Sequence, residues 1–160
     1  MNKRALIKKL AAYGLTGAVS FSAGIVGPFE GKENASYIDI AGVPTICWGH
    51  TGPEVRLGQT LSDEMCAQLL AEDLGHAHQV VRKAVTVPLP PEREGSLASF
   101  VYNVGAGAFQ RSTLLRLLNA GHVREACDQL LRWVYADGEK SRGLERRRKV
   151  EREYCLVGVE

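Results

Sequence analysis

Three side chains in one short stretch of this chain could do acid–base chemistry together: the carboxyls of Glu30 and Asp39 and the hydroxyl of Thr45. Hydrolysis of a stable bond is served by two carboxyl groups in unlike surroundings, one protonated and one ionised. Glu30 follows Pro28 and Phe29, an apolar setting that disfavours the charged form and predicts a protonated acid. Asp39 is expected to stay ionised, and Thr45 to hold a water by hydrogen bonds. Singly, each has an ordinary reading: a Glu before a turn caps, and a Thr in a strand satisfies propensity. Their joint spacing, nine and then six residues, with flanking glycines, points to a site.

The elements that must position them follow from local pattern. Tyr37-Ile38-Asp39-Ile40 alternates as a strand, Ala41-Gly42-Val43 reads as a tight turn, and Pro44 to Trp48 returns. Pro44 lacks an N–H, so the hairpin is short or lies at a sheet edge. A turn symmetric about Gly42 sets Asp39 opposite Thr45 on one face; a different turn length would break that pairing. Ile38, Ile40 and Ile46 would then pack as a small core. A long helix starts after Ser62, a good N-cap, with Asp63 and Glu64 in its first turn. Its apolar residues from Met65 to Ala84 fall at helical spacing, and Asp73 lies on the flank of that stripe, where a part-buried carboxylate needs a partner.

Val87-Pro88-Leu89-Pro90-Pro91 is a stiff break before a helix over 92–103 that ends near Gly105 and Gly107. Those glycines are not a phosphate loop, because no strand precedes them and no Lys-Ser or Lys-Thr follows. Ser112 to Asn119 reads as a short helix, and Val123 to Tyr135 as an amphipathic one with Trp133 in the core. Residues 140–153 are dense in both charges, for which the ordinary reading is a solvated helix face with i,i+4 pairs. His76, His78 and His122 have no ligand-like company and read as surface residues. No metal or cofactor is expected.

At 160 residues the chain is one domain, long enough to bury a real core. A net charge of +2 does not argue for nucleic acid, and acidic residues interrupt the late arginine run. The start is basic (Lys3, Arg4, Lys8, Lys9), and Leu10 to Phe29 carries no charge but is rich in glycine and small residues. Three readings stand: a cleaved signal peptide, a buried first helix, and a marginal membrane span that inserts and later escapes. Four cysteines, Cys47, Cys66, Cys127 and Cys155, allow full pairing in an oxidising compartment or four buried thiols in a reducing one.

A resemblance adds to this. The string E-G-x(5)-Y-x-D-x-x-G-x-x-T-x-x-x-G-H over residues 30–50 resembles the phage-type lysozymes, glycoside hydrolase family 24. Phe100-Val101-Tyr102-Asn103-Val104-Gly105 with Gly107 and Phe109, and Gly143-Leu144 with Arg147-Arg148, match too, so the likeness runs over residues 27–160. With its glycine-rich uncharged N-terminus, the chain looks closest to the signal-anchor-release endolysins of lambdoid-type phages. The resemblance implies an α+β, lysozyme-like fold: a β lobe over 30–60, a linking helix over 61–84 and a helical lobe over 85–160. Residues 1–29 would be the signal-anchor-release segment.

It also implies hydrolysis, with inversion, of the β-1,4 bond between N-acetylmuramic acid and N-acetylglucosamine in peptidoglycan, for host lysis. Glu30 would be the general acid, Asp39 would support the attacking water and Thr45 would orient it. Tyr102, Asn103 and Ser112 would line the saccharide groove, with core packing the ordinary alternative for Tyr102. His50 would pair with Asp73 in a structural role, and Arg147 would face the cleft and bias Glu30 or Asp39. The expected fold sets Cys47 near Cys66 and Cys127 near Cys155, the pairing it implies. Residues 1–29 hold no cysteine, which excludes a thiol switch between that segment and the domain.

Activation would then be topological. Tethered in the host inner membrane through residues 10–29, the segment cannot position Glu30; released into the periplasm, it refolds on the domain and completes the site. A monomer is expected. Two other functions remain open at this stage: a lytic transglycosylase, which needs one acid and leaves a 1,6-anhydro sugar, and a non-enzymatic membrane-active peptide module, whose killing would survive Glu30→Gln.

Overall fold

The computed structural model describes residue 8 and residues 17–160. The expected span over residues 10–29 therefore falls partly outside the described residues, and among those described no helix is long and apolar enough to cross a membrane.

The first helix, α1 (Ala18–Phe29), buries Ala18, Ser22, Ala23, Ile25 and Val26. Pro28 sits in its last turn, and Glu30 closes it by donating its N–H to the Val26 carbonyl at 2.9 Å. Strands β1 (Glu33–Ile38) and β2 (Pro44–Cys47) form an antiparallel hairpin with a bulge between Glu33 and Tyr37. The observed pairs are Tyr37 with Thr45 and Ile38 with Pro44, so the expected pairing of Asp39 with Thr45 is corrected. Asp39 instead stands across from Val43, whose carbonyl accepts its N–H at 3.1 Å. The shift moves each partner by two residues, which preserves the face each side chain occupies. The expected core of Ile38, Ile40 and Ile46 is also corrected. Ile46 is fully buried, whereas Ile38 and Ile40 are exposed, because no second layer covers the outer side of a two-stranded hairpin.

Helix α2 (Asp63–Ala84) starts at Ser62, whose hydroxyl accepts the Met65 N–H at 3.2 Å; Arg82 and Lys83 lie in its last turn. It joins two cores. Ile46, Cys47, Trp48 and Val55 of the β lobe pack with Cys66, Leu70 and Leu74 of α2 and with Ala23 and Val26 of α1. The second core, around Leu97, Phe100, Phe109, Leu114, Leu118 and Leu130, fills the helical lobe. Tyr102 packs against both.

The helical lobe begins with α3 (Pro91–Val104), whose first residue is proline, where a missing N–H is harmless. Gly105 at φ 87° breaks it, and a further short helix, α4 (Ala106–Gln110), follows where a turn was expected. Then come α5 (Thr113–Asn119) and α6 (Val123–Gln129), the latter ending in a 3₁₀ turn at Leu130–Arg132, short of the predicted Tyr135. A two-residue hairpin, β3 (Tyr135–Ala136) and β4 (Glu139–Lys140), turns through Asp137 and Gly138 at φ 51° and 80°. Helix α7 (Arg142–Cys155) closes the described chain, capped by Ser141. Disulfides join Cys47 to Cys66 and Cys127 to Cys155, tying β2 to α2 and α6 to α7.

The α1–α3 contact is closest at Gly95. A Cβ there would lie 2.5 Å from Phe21 Cβ and 2.6 Å from the Ala18 carbonyl oxygen. Gly95→Ala therefore forces α1 away from α3 and is expected to cost about 1–3 kcal/mol, read as a lowered urea midpoint at unchanged m-value.

Candidate active site

Glu30 stands where α1 hands over to the hairpin. The apolar setting expected for it is not what surrounds it. Its side chain is about one-quarter exposed, and Oε1 accepts a hydrogen bond from Arg147 Nη1 at 2.6 Å. Oε2 faces Gly49, from whose ideal Cβ position it is 3.6 Å away. Gly49 has φ +74°, so a larger residue there would be both strained and close to the carboxyl.

Arg147 lies in a charged run whose ordinary place is solvent, while the resemblance set it facing the cleft near Glu30 or Asp39. It is 3% exposed. Its Nε donates to Glu151 Oε1 at 3.1 Å and its Nη2 to the Ser99 carbonyl at 3.0 Å. Arg148 beside it is 1% exposed, donates to the Trp133 carbonyl and to Glu151 Oε2, and lies over the Phe100 ring. Glu151 is fully buried between the two guanidiniums and also accepts from Ser99 Oγ at 2.7 Å. Spacing i,i+4 was visible in the sequence, but such spacing serves a buried pair and an exposed one alike. Glu151 was accordingly missed as part of the site.

Asp39 Oδ1 accepts the N–H groups of Ala41 and Val43, each at 2.8 Å, so the aspartate caps its own turn. Thr45 is buried, and its hydroxyl donates to the Val43 carbonyl at 2.9 Å. Tyr37, paired across from Thr45, connects the two carboxyls electrostatically. Its phenol is pushed above the ordinary value first by burial, then by the negative charges of Glu30, Asp39 and Glu33. Tyr37 thus feels both carboxyls, and sequence reasoning did not single it out.

His50 is held on both ring nitrogens. Nδ1 is 2.7 Å from Asp73 Oδ2 and Nε2 is 2.7 Å from Glu54 Oε1. Burial alone would lower its pKa, but the hydrogen bonds to Glu54 and Asp73 together raise it above 6.5. Burial raises the Asp73 carboxyl, with His50 opposing. This contact ties the loop after β2 to the middle of α2.

A cleft of about 280 Å³ opens beside it, bordered by Gly49, Thr51, Asp73, His76, Tyr102 and Ala106. Tyr102 reaches it, but its hydroxyl donates to the Trp48 carbonyl, and burial drives its pKa far up. Asn103 is exposed, with Oδ1 accepting from Arg148. Ser112 does not line a groove. It is buried, its hydroxyl donating to the Phe109 carbonyl at 2.7 Å and accepting the Leu115 N–H at 3.1 Å, which makes it the N-cap of α5. His78, read as a surface residue, is buried at the α1–α2–α3 junction. Among the described residues, no group of three His, Cys, Asp or Glu gathers as a metal site.

An acidic side chain at the junction of a helix and a small hairpin, with a long helix joining a β lobe to a helical lobe, marks a lysozyme-like protein. Known proteins agree. The phage lysozyme family model matches residues 27–151. The SAR-endolysin of Enterobacteria phage PA-2 is 45% identical over 159 residues, covering 96% of each chain. Among solved structures, the muramidase domain of SpmX from Asticaccaulis excentricus superposes with a TM-score of 0.78 at 30% identity, over 84% of this chain and 94% of that one. The active form of P1 phage endolysin Lyz shares the fold at a TM-score of 0.88 and 21% identity, over 100% of this chain and 96% of that one. The chain belongs to the phage lysozyme family and is a lysozyme-type glycoside hydrolase of the endolysin kind.

The His50 contacts give a pH signature. A histidine raised in the folded state adds stability below its unfolded value of 6.5 and loses that contribution as pH rises through the folded value. An NMR titration is expected to place the His50 midpoint above 6.5 in the wild type and to move it down in Asp73→Asn.

Proposed function

We propose that this chain cuts the β-1,4 bond between N-acetylmuramic acid and N-acetylglucosamine in peptidoglycan by single displacement. The observation that carries this reading is the division of labour on Glu30. Arg147 occupies Oε1, and among the described residues no hydrogen bond falls on Oε2, which faces Gly49. Oε2 is then the oxygen that carries the proton and gives it to the departing glycosidic oxygen. On the hairpin, two backbone N–H bonds fix Asp39 through Oδ1 and leave Oδ2 to accept a proton from water. Thr45 has its hydroxyl hydrogen on the Val43 carbonyl, so its oxygen keeps lone pairs with which to accept a hydrogen from that water. Water attacks the anomeric carbon from the side opposite the leaving group, the positive charge that develops on the sugar is stabilised by Asp39, and configuration inverts.

Substrate binding belongs to the cleft beside Tyr102. In this reading Tyr102 shapes the wall with its ring while its hydroxyl braces Trp48, and Asn103 offers its amide N–H groups to sugar. The domain acts as a monomer.

Residues 1–29 act as the signal-anchor-release segment. Held in the inner membrane, they leave Glu30 without the helix that places it and leave the β-lobe core without Ala23 and Val26. Released toward the periplasm, the same residues supply both. The contacts of α1 with Gly95 and with the β-lobe core support this reading, because they make the helix an integral layer of the domain.

Zymography on peptidoglycan with wild type, Glu30→Gln and Asp39→Asn tests the mechanism. Both variants are expected to fold and to lose clearing activity by roughly 10²-fold or more. Released sugars from the wild type are expected to carry reducing ends. A 1,6-anhydro product, or clearing that persists in Glu30→Gln, would overturn this assignment.

A further inference from the structure

One ionisable side chain is sealed in where the N-terminal helix meets the rest of the protein. His78 of α2 is 1% exposed. Its Nδ1 is 2.8 Å from Glu94 Oε1 of α3, and its Nε2 is 2.9 Å from Ser22 Oγ of α1. Three helices meet on this imidazole. Arg82 Nε donates to the same Glu94 oxygen at 2.7 Å.

Proton counting fixes the roles. A carboxylate only accepts, so Nδ1 carries a hydrogen and donates to Glu94. Arg82 already matches the Glu94 charge. Helix α1 offers no second negative charge, because residues 18–29 contain no Asp, Glu, Lys or Arg. From α7, Tyr154 stacks at a tilt on Phe21, and Arg146 and Lys149 border Pro28 and Phe29 at the far end of α1. Arg93, next to Glu94 on α3, is turned to the Cys155 and Val157 carbonyls. In these surroundings the imidazole is neutral, and Nε2 accepts the Ser22 hydroxyl. Burial holds His78 below the ordinary 6.5, against the opposing pull of Glu94.

A second proton would change Nε2 from acceptor to donor. Ser22 can answer by turning its hydrogen to the Val19 carbonyl, 2.9 Å away, so the hydrogen bonds survive. The charge finds only the Glu94 carboxylate, which Arg82 already shares, and α1 adds no second one, so with the ring sealed under α1 its desolvation is not offset. Lifting α1 away lets water reach the ring.

We propose that His78 is a proton-gated receptor for the N-terminal helix: neutral, it accepts Ser22 and holds α1 on α2 and α3; protonated, it loosens that docking. Glu30 lies at the end of the same helix, so the gate reaches the catalytic acid as a positioning effect. The inference rests on the reading above, in which α1 is a segment that docks on release, and it names what that docking senses. The sign follows from the lowered value. Docking is complete above about 6.5 and is lost as pH falls from there through the docked-state value of His78. An acidic surface would keep the helix off the domain, and a neutral compartment would let it dock.

Hydrogen exchange of the full chain, read by mass spectrometry and corrected for intrinsic rates, measures docking. Residues 18–29 report on α1, and residues 113–119, remote from His78, serve as the internal reference. In the wild type, relative protection of 18–29 is expected to fall by about tenfold for each pH unit between 6.5 and the docked-state value. His78→Gln can still donate to Glu94 but does not titrate, and is expected to abolish the dependence. Ser22→Asp supplies the missing negative charge on α1 and is expected to reverse its sign, with docking strengthened by acid. Flat relative protection in the wild type, an unchanged dependence in His78→Gln, or a Ser22→Asp variant that tracks the wild type would each overturn the gate. Peptidoglycan lysis at neutral pH is measured on the same samples. Lysis with flat protection removes the gate and leaves the enzyme, whereas the expected exchange pattern without lysis removes the enzyme and leaves the gate.

Discussion

The guanidinium of Arg147 is the interaction on which the site depends. A planar cation buried to this extent is tolerated only when its N–H groups have partners and a counter-charge is at hand. Arg147 finds them on three elements: the Glu151 carboxylate on its own helix, the Ser99 carbonyl on α3, and Glu30 at the end of α1. Glu151 is shared with Arg148, which in turn braces Trp133 and Asn103. The carboxyl of Glu30 is therefore set by a network that crosses the helical lobe. Among the described residues only one of its oxygens belongs to that network, and the proposed mechanism uses the other.

The same geometry makes α1 a scaffold element of the site. An uncharged helix of small residues gives up little solvation on entering the protein, and its small side chains allow close approach at Gly95. Its polar atoms are not neglected, since Ser22 is paired with His78 at the place where α1 crosses α2. The residue that lets α1 pack tightly on α3 is Gly95 of α3, which meets Ala18, Phe21 and Ser22.

Much of this could be read from the chain, for definite reasons. Glu30, Asp39 and Thr45 stood out because their spacing ties chemistry-bearing residues to a hairpin. The long helix was legible because Ser62, Asp63 and Arg82 mark its ends and its apolar residues recur with helical period. The hairpin register was misjudged by two residues because Asp39 closes its own turn with Oδ1, a local side-chain bond that competes with symmetric pairing about Gly42. The second hairpin was signalled by Asp137-Gly138 and passed over, since strands of two residues carry no period. His78, Arg148 and Glu151 were misplaced toward solvent, whereas Arg147 was expected at the cleft from the resemblance alone and not from the pattern of its charged run. Charged residues at helical spacing look alike whether water or a distant partner satisfies them, and their partners here lie tens of residues away. Ser112 went the other way: a residue expected to touch sugar is consumed as a helix cap.

The most direct test of this account is the turnover number of Arg147→Met measured beside its urea unfolding midpoint. The substitution leaves Glu151 with Arg148 and Ser99 as partners, so the fold has reason to persist, while Glu30 loses the contact that fixes Oε1. The account predicts a folded protein whose kcat falls by roughly 10²-fold with KM little changed, as a misplaced catalytic group requires. A folded Arg147→Met enzyme with near wild-type kcat would contradict it.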